Sequence, residues 1–124
     1  MKLPGGEHAV VEIVKLRDYC LNPSHPRGRH KARVFAAALS LGQSDAELLR
    51  KELLRAAREA DATEGDADRY GERSILDFEL AVKDRRAVVR SAWFIRRGEG
   101  YPRLTSCFVL SMSALQWLKW RCCR

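Results

Sequence analysis

The sequence predicts an α+β fold, with N-terminal helices packed on a three- or four-stranded antiparallel sheet, and three observations carry that prediction. Apolar residues recur at helical spacing as far as Ala60, they alternate strictly from Ile75 onward, and an acidic, glycine-containing stretch separates the two regimes. At 124 residues with 46% hydrophobic content, the chain is expected to form a single domain over residues 1–110, with a C-terminal extension at 111–124. Such a domain buries a core without metal or disulfide staples.

The helical half begins with Ala9-Val10-Val11-Glu12-Ile13-Val14, short and β-branched, which predicts a lead-in strand. Leu16, Tyr19 and Cys20 then predict a short helix over 15–21. It is stopped at Asn22-Pro23 and His25-Pro26, because the residue before a proline is pushed out of the α region. Gly28 releases the turn into a helix over 29–40 whose apolar stripe is Val34, Phe35, Ala38 and Leu39. Gly42 is its expected end. Ser44-Asp45-Ala46-Glu47 forms a capping box for the next helix, which buries Leu49, Leu53, Ala56 and Ala60. Residues 61–71, rich in Asp, Glu, Gly and Ala, are expected to be a loop.

In the second half, a strand over 75–82 turns Leu76, Phe78, Leu80 and Val82 to one face and Asp77 and Glu79 to the other. A polar connection at 83–86 leads to a strand over 87–96 burying Val89, Trp93 and Ile95. After a turn at 97–102, a third strand over 103–110 is expected to bury Leu104, Phe108 and Leu110. The open face of this meander then carries Asp77, Glu79, Arg90, Arg96, Arg103 and Thr105. Trp117 and Trp120 in the tail fit a short amphipathic helix that packs on the domain or a partner.

The formal charge of +7, with a pI near 9.6, fits a nucleic-acid partner or simply a basic protein. No apolar run approaches a membrane span, and the N-terminus lacks the apolar core of a signal peptide, so a cytoplasmic protein without membrane contact is expected. The four cysteines contain no CxxC pair and support neither a zinc site nor a disulfide framework. No cofactor is expected.

The chemistry concentrates between Asn22 and Phe35, where His25, Arg27, Arg29, His30, Lys31 and Arg33 meet a helix N-terminus, a composition that favours anions. Lys31 falls one turn before Val34 and Phe35, on the core-facing side, so it must snorkel or meet an anion at the core's edge. Without metal motifs, the available chemistry is acid–base and electrostatic. RNA can be cut this way: a base takes the 2′-hydroxyl proton, the oxygen attacks its own phosphate, an acid protonates the leaving 5′-oxygen, and cations stabilise the added charge. His30 suits the base or the acid, and Glu79 suits the other role where Arg90 does not neutralise it. Lys31, Arg90, Arg96 and Arg103 would hold phosphate, with Thr105 donating a hydrogen bond and His25, Arg27 and Arg29 binding substrate. Each also has a structural alternative: solvated or capping histidines, a snorkelling lysine, and cross-strand pairs of Arg90 with Asp77 or Glu79. A non-catalytic nucleic-acid or protein-binding module is the alternative function.

The combination Lys15-Leu16, Tyr19, Leu21-Asn22-Pro23, His25-Pro26, Gly28, Lys31-Ala32 and Phe35, followed by Tyr70-Gly71, Val89-Arg90-Ser91-Ala92-Trp93 and Pro102-Arg103-Leu104-Thr105, resembles a small, largely uncharacterised bacterial domain family. Its members stand alone beside small partner genes or end larger toxin-like and phage proteins. That family in turn looks like the barnase–EndoU–colicin–RelE group of metal-independent ribonuclease toxins, which place helices before an antiparallel sheet. The resemblance implies His30, Lys31, Arg90, Arg103 and Thr105 as catalytic positions, and a toxin held in check by a small acidic antitoxin or immunity protein. Residues 111–124 do not follow the family pattern.

Overall fold

A computed structural model describes residues 2–112, with side chains as far as Leu110. Helices precede a four-stranded antiparallel sheet of strand order β1-β2-β3-β4, so the predicted α+β architecture holds. The elements are α1 (Ile13–Lys15), which widens into a π-helical turn (Leu16–Cys20), α2 (Arg29–Leu39), α3 (Ala46–Glu59), β1 (Ala62–Asp68), β2 (Gly71–Val82), β3 (Arg85–Arg96) and β4 (Arg103–Met112). The expected tail helix with Trp117 and Trp120 lies outside the described residues.

Three local expectations are corrected. Residues 9–14 form no strand: Val10 makes an isolated parallel bridge to Arg103, and the chain turns helical at Ile13. A lone bridge still ties this segment to β4, through Val10 N–H to Pro102 O (2.9 Å) and Leu104 N–H to Val10 O (3.0 Å). Residues 61–71 are no loop but largely β1, an edge strand whose residues after Ala62 are all exposed and which holds to β2 through backbone pairing. The expected extent of α2 holds, but the left-handed residue that ends it is Ser40, at φ 56°, rather than Gly42.

The core lies between the helices and one face of the sheet, with α2 against β3 and β4 and α3 against β2. Phe35 and Leu39 of α2, Leu49 and Leu53 of α3, and Leu76, Leu80, Val89 and Trp93 of the sheet are fully buried. Burying a leucine or a larger apolar side chain contributes roughly 1.5–3 kcal/mol against leaving it in water. One polar relay crosses this apolar layer: Trp93 Nε1–H donates to Ser91 Oγ, and the Ser91 hydroxyl donates to Leu76 O, each at 2.8 Å. Cationic side chains also tie the layers together at their margins. Lys15 Nζ donates to Leu104 O (3.0 Å), Arg50 to Val11 O (2.9 Å) and Arg85 to Ala37 O (2.9 Å).

Strand β4 departs from the simple alternation the sequence predicts. Ala92 pairs with Ser106 while the next residue, Trp93, pairs with Leu104, leaving Thr105 as an extra residue; Leu110 is skipped in the same way between Val109 and Ser111. Each bulge shifts the parity of the strand by one. In consequence Leu104 and Cys107 are buried, whereas Phe108 is half-buried and Leu110 exposed, contrary to the expected inward set of Leu104, Phe108 and Leu110.

Candidate functional site

The site is assembled where the π-helical turn, the start of α2 and β4 meet. In the wide turn Leu21 N–H reaches back to Leu16 O at 2.8 Å, and Asn22 closes the chain around Pro23, accepting from Ser24 N–H at 2.9 Å. His25 Nδ1 accepts from the backbone N–H groups of Arg27 and Gly28, both at 3.0 Å, which assigns the ring proton to Nε2. Its ring stands edge-on to Tyr19, with centroids 4.8 Å apart. Gly28 makes the junction tight, because a Cβ there would lie 2.1 Å from the carbonyl oxygen of Tyr19.

One turn into α2, Lys31 is half-buried and reaches β4. Its Nζ donates to Ser106 Oγ at 2.7 Å and to Tyr19 Oη at 3.4 Å. The ammonium lies 4.9 Å from the Tyr19 ring centroid and 5.8 Å from that of Phe108. No carboxylate pairs with it among the described residues. With the lysine donating, the Ser106 and Tyr19 hydroxyl protons remain free to donate elsewhere, so the cluster presents an ammonium and two O–H donors to an incoming oxyanion. His30, exposed on the neighbouring position, lines the same open groove as Lys31, Val34, Phe108 and Val109.

Beneath this cluster the Cys20 and Cys107 thiols are hydrogen-bonded to one another and both fully buried. That bond, supported by the charges of Lys31 and Lys15 and opposed by burial, pulls Cys20 down to about 7. Cys107 moves the opposite way, raised by its bond to Cys20 and by burial.

The sheet-borne candidates sit in other company. Arg90 makes a two-pronged ion pair with Asp77, Nε to Oδ1 and Nη2 to Oδ2, each at 2.9 Å, and this bond holds the Asp77 carboxyl below its ordinary range. Arg103 is engaged by Glu99 (3.2 Å) and by the Tyr101 hydroxyl (3.0 Å), and Glu99 also lies 3.9 Å from Arg96. Glu79 faces Arg86 at 3.6 Å rather than Arg90. Thr105 donates its hydroxyl proton to Ala92 O at 3.0 Å. Among the described residues no hydrogen bond or ion pair joins His30 or Lys31 to Arg90, Arg103 or Thr105. Lys31 is joined instead to their immediate neighbours: Ser106 follows Thr105, and Phe108 stands opposite Arg90 in the strand register.

Arg27, Arg29 and Arg33 are exposed and, among the described residues, carry no ion pair. Two members of the cluster, Tyr19 and Ser106, escaped the reading of the sequence. Tyr19 was legible as an apolar position at helical spacing and as one residue of the family resemblance, but with no role in a site. Ser106 becomes available to Lys31 in a strand whose parity has already been shifted at Thr105, a displacement that no side chain in the sequence announces.

Residues 2–111 match a domain of unknown function, DUF6883. The chain belongs to that family. Tyr19, His25, His30, Lys31 and Ser106 all fall within the DUF6883 match, as do Arg90, Arg103 and Thr105. Comparison with curated proteins finds no match, and comparison with solved structures finds none either. Among the described residues no cluster of His, Cys, Asp and Glu could hold a metal ion, and no helix is long and apolar enough to cross a membrane.

Proposed function

We propose that the protein is an endoribonuclease that cleaves RNA without a metal, by attack of a 2′-hydroxyl on the adjacent phosphate. The observation that supports this reading is the Lys31 ammonium, unneutralised by any carboxylate among the described residues, held by the hydroxyls of Ser106 and Tyr19 and sharing its groove with His30. His30 takes the 2′-hydroxyl proton as the 2′-oxygen bonds to phosphorus. Lys31 and the Ser106 O–H stabilise the pentacoordinate phosphate. Tyr19, its phenol polarised by Lys31, gives its proton to the leaving 5′-oxygen, so that the products are a 2′,3′-cyclic phosphate and a free 5′-hydroxyl. Arg27, Arg29 and Arg33 hold the flanking phosphates. In this reading Arg90, Arg96 and Arg103 join the substrate only by exchanging their carboxylate partners for phosphate.

A cytoplasmic toxin of this kind requires restraint, and a small acidic antitoxin or immunity protein is the matching partner for the cationic start of α2. Incubation of the purified protein with total RNA in EDTA tests the reading. The expected result is cleavage to cyclic-phosphate ends that disappears in the His30→Ala/Lys31→Ala double variant. Intact RNA, or cleavage indifferent to that double variant, would overturn it. Arg27, Arg29 and Arg33, without ion pairs among the described residues, favour a second reading, a module that only binds RNA; strongly salt-dependent binding without strand scission is its signature.

A further inference from the structure

Beside the Lys31 cluster lies an open groove of about 290 Å³, lined by Val34, Phe108 and Val109 with Lys31 and His30 at its margin. Its floor is a half-buried aromatic ring flanked by two half-buried valines, and its rim is cationic. The ammonium lies 4.9 Å from the Tyr19 ring centroid and 5.8 Å from that of Phe108, so one fixed cation stands next to an aromatic surface. Between Asp18 and Asp45 the chain contains no carboxylate side chain, so the segment leading to this surface carries positive charge alone. An aromatic surface beside a fixed cation, entered through a cationic field, matches a ligand that presents a flat aromatic face and is tethered to a phosphate.

We infer that this groove is a nucleobase seat: a base stacks on Phe108 while the phosphate of its own nucleotide is held by Lys31 and Ser106, which makes single-stranded RNA the substrate class. The inference deepens the proposed function and rests on its assignment of Lys31 to a phosphate. Bases inside a duplex are already stacked on one another and cannot occupy the ring, whereas an unpaired base can. Stacking reads the face of the base and not its hydrogen-bonding edge, so the seat selects strandedness rather than sequence.

The test uses the full chain and a short fluorescent oligonucleotide carrying 2′-O-methyl groups, which binds but cannot be cut. Three probes are compared in EDTA: the single strand, the same strand with one abasic position, and its duplex. The single strand is expected to bind about 5- to 150-fold more tightly than the abasic strand, the scale of one base–aromatic stack, and more tightly than the duplex. Phe108→Leu keeps the groove apolar and is expected to erase the gap between the single and abasic strands while leaving abasic binding in place. An abasic strand bound as tightly as the intact one overturns the inference without any variant having to fold. So does a Phe108→Leu protein that keeps the gap, or a groove that takes an acidic peptide and no oligonucleotide. Base-dependent binding without cleavage of unmodified RNA leaves the seat standing and removes the ribonuclease. Cleavage without base dependence does the reverse.

Discussion

The start of α2 and the outer face of the sheet are both rich in arginine, yet they differ in what their charges face. Along β2 and β3 the register sets Asp77 opposite Arg90, and Glu79 lies near Arg86. Around α2 the nearest acidic residues in the chain are Asp18 and Asp45, and Arg27, Arg29, Lys31 and Arg33 carry no ion pair among the described residues. A count of basic residues treats the two regions alike. Once the sheet guanidiniums are matched to their carboxylates, with Arg96 and Arg103 sharing Glu99, the start of α2 stands out as a run of cations without an ion pair among the described residues.

The sharpest way to break this contrast is to remove one cation from each region. Lys31→Ala is expected to lower RNA cleavage by about 100-fold or more, the usual cost of losing one preorganised donor to a developing oxyanion. Arg90→Ala is expected to leave cleavage within about fivefold, the scale of an exposed ion pair. Rates measured on one RNA under single-turnover conditions decide it. Equal losses in the two variants would mean that Arg90 abandons Asp77 for the substrate, and the sheet face would rejoin the site.

A second expectation separates geometry from charge. Gly28→Ala alters no charge, but its Cβ would overlap the Tyr19 carbonyl oxygen, so the start of α2 must back away from the turn that carries Tyr19. Strain of this sort costs roughly 1–3 kcal/mol of stability. Gly42→Ala is the control, since a Cβ there meets nothing within 4 Å. Urea unfolding of the two variants is expected to show a lowered midpoint for the first and little change for the second.

How far all this was legible follows from what each segment buries. α2, α3, β2 and β3 could be read because their apolar residues face a core, and a buried face imprints its period on the sequence. β1 left no such imprint: Thr63, Glu64, Asp66 and Asp68 are exposed, and the strand is held to β2 by backbone pairing and the exposed Asp68–Arg73 ion pair, with no buried face. The charged face of the sheet was also anticipated, including the Asp77–Arg90 pair as one alternative. Lys31 was identified as the informative cation from its place on the stripe of α2. Its partner was not, because the parity of β4 points to Thr105 until the bulge is known. The sequence therefore pointed to Lys31, but to neither Ser106 nor the Tyr19 hydroxyl, the two groups to which its ammonium donates.

Smaller in energy, but just as diagnostic, is the salt response of binding. Removing one cation that holds a phosphate of a single strand is expected to flatten the plot of log K against log salt by about 0.7. Arg27→Gln, Arg29→Gln and Arg33→Gln should each approach that change, whereas Arg73→Gln and Arg86→Gln should produce almost none, because Asp68 and Glu79 already neutralise those guanidiniums. Titrations of a non-cleavable oligonucleotide across salt concentrations give the slopes directly. A sheet variant that flattens the slope as much as a helix variant would contradict the division of the two regions.

The smallest effect expected is the stability of the Asp77–Arg90 pair itself. Both side chains are more than a third exposed, so solvent screening keeps their coupling small in a double-mutant cycle near neutral pH, in spite of the two-pronged geometry. The sign of its pH dependence is set by Asp77, whose carboxyl the Arg90 hydrogen bond lowers below the ordinary value of 3.8. The folded state therefore releases this proton more readily than the unfolded chain. The stabilisation is present in full above the ordinary aspartate range and is lost as pH falls through the lowered folded value. Repeating the Asp77→Ala, Arg90→Ala cycle at successively lower pH should show the coupling shrink toward zero, and a coupling that grew on acidification would show that Asp77 answers to some group other than Arg90.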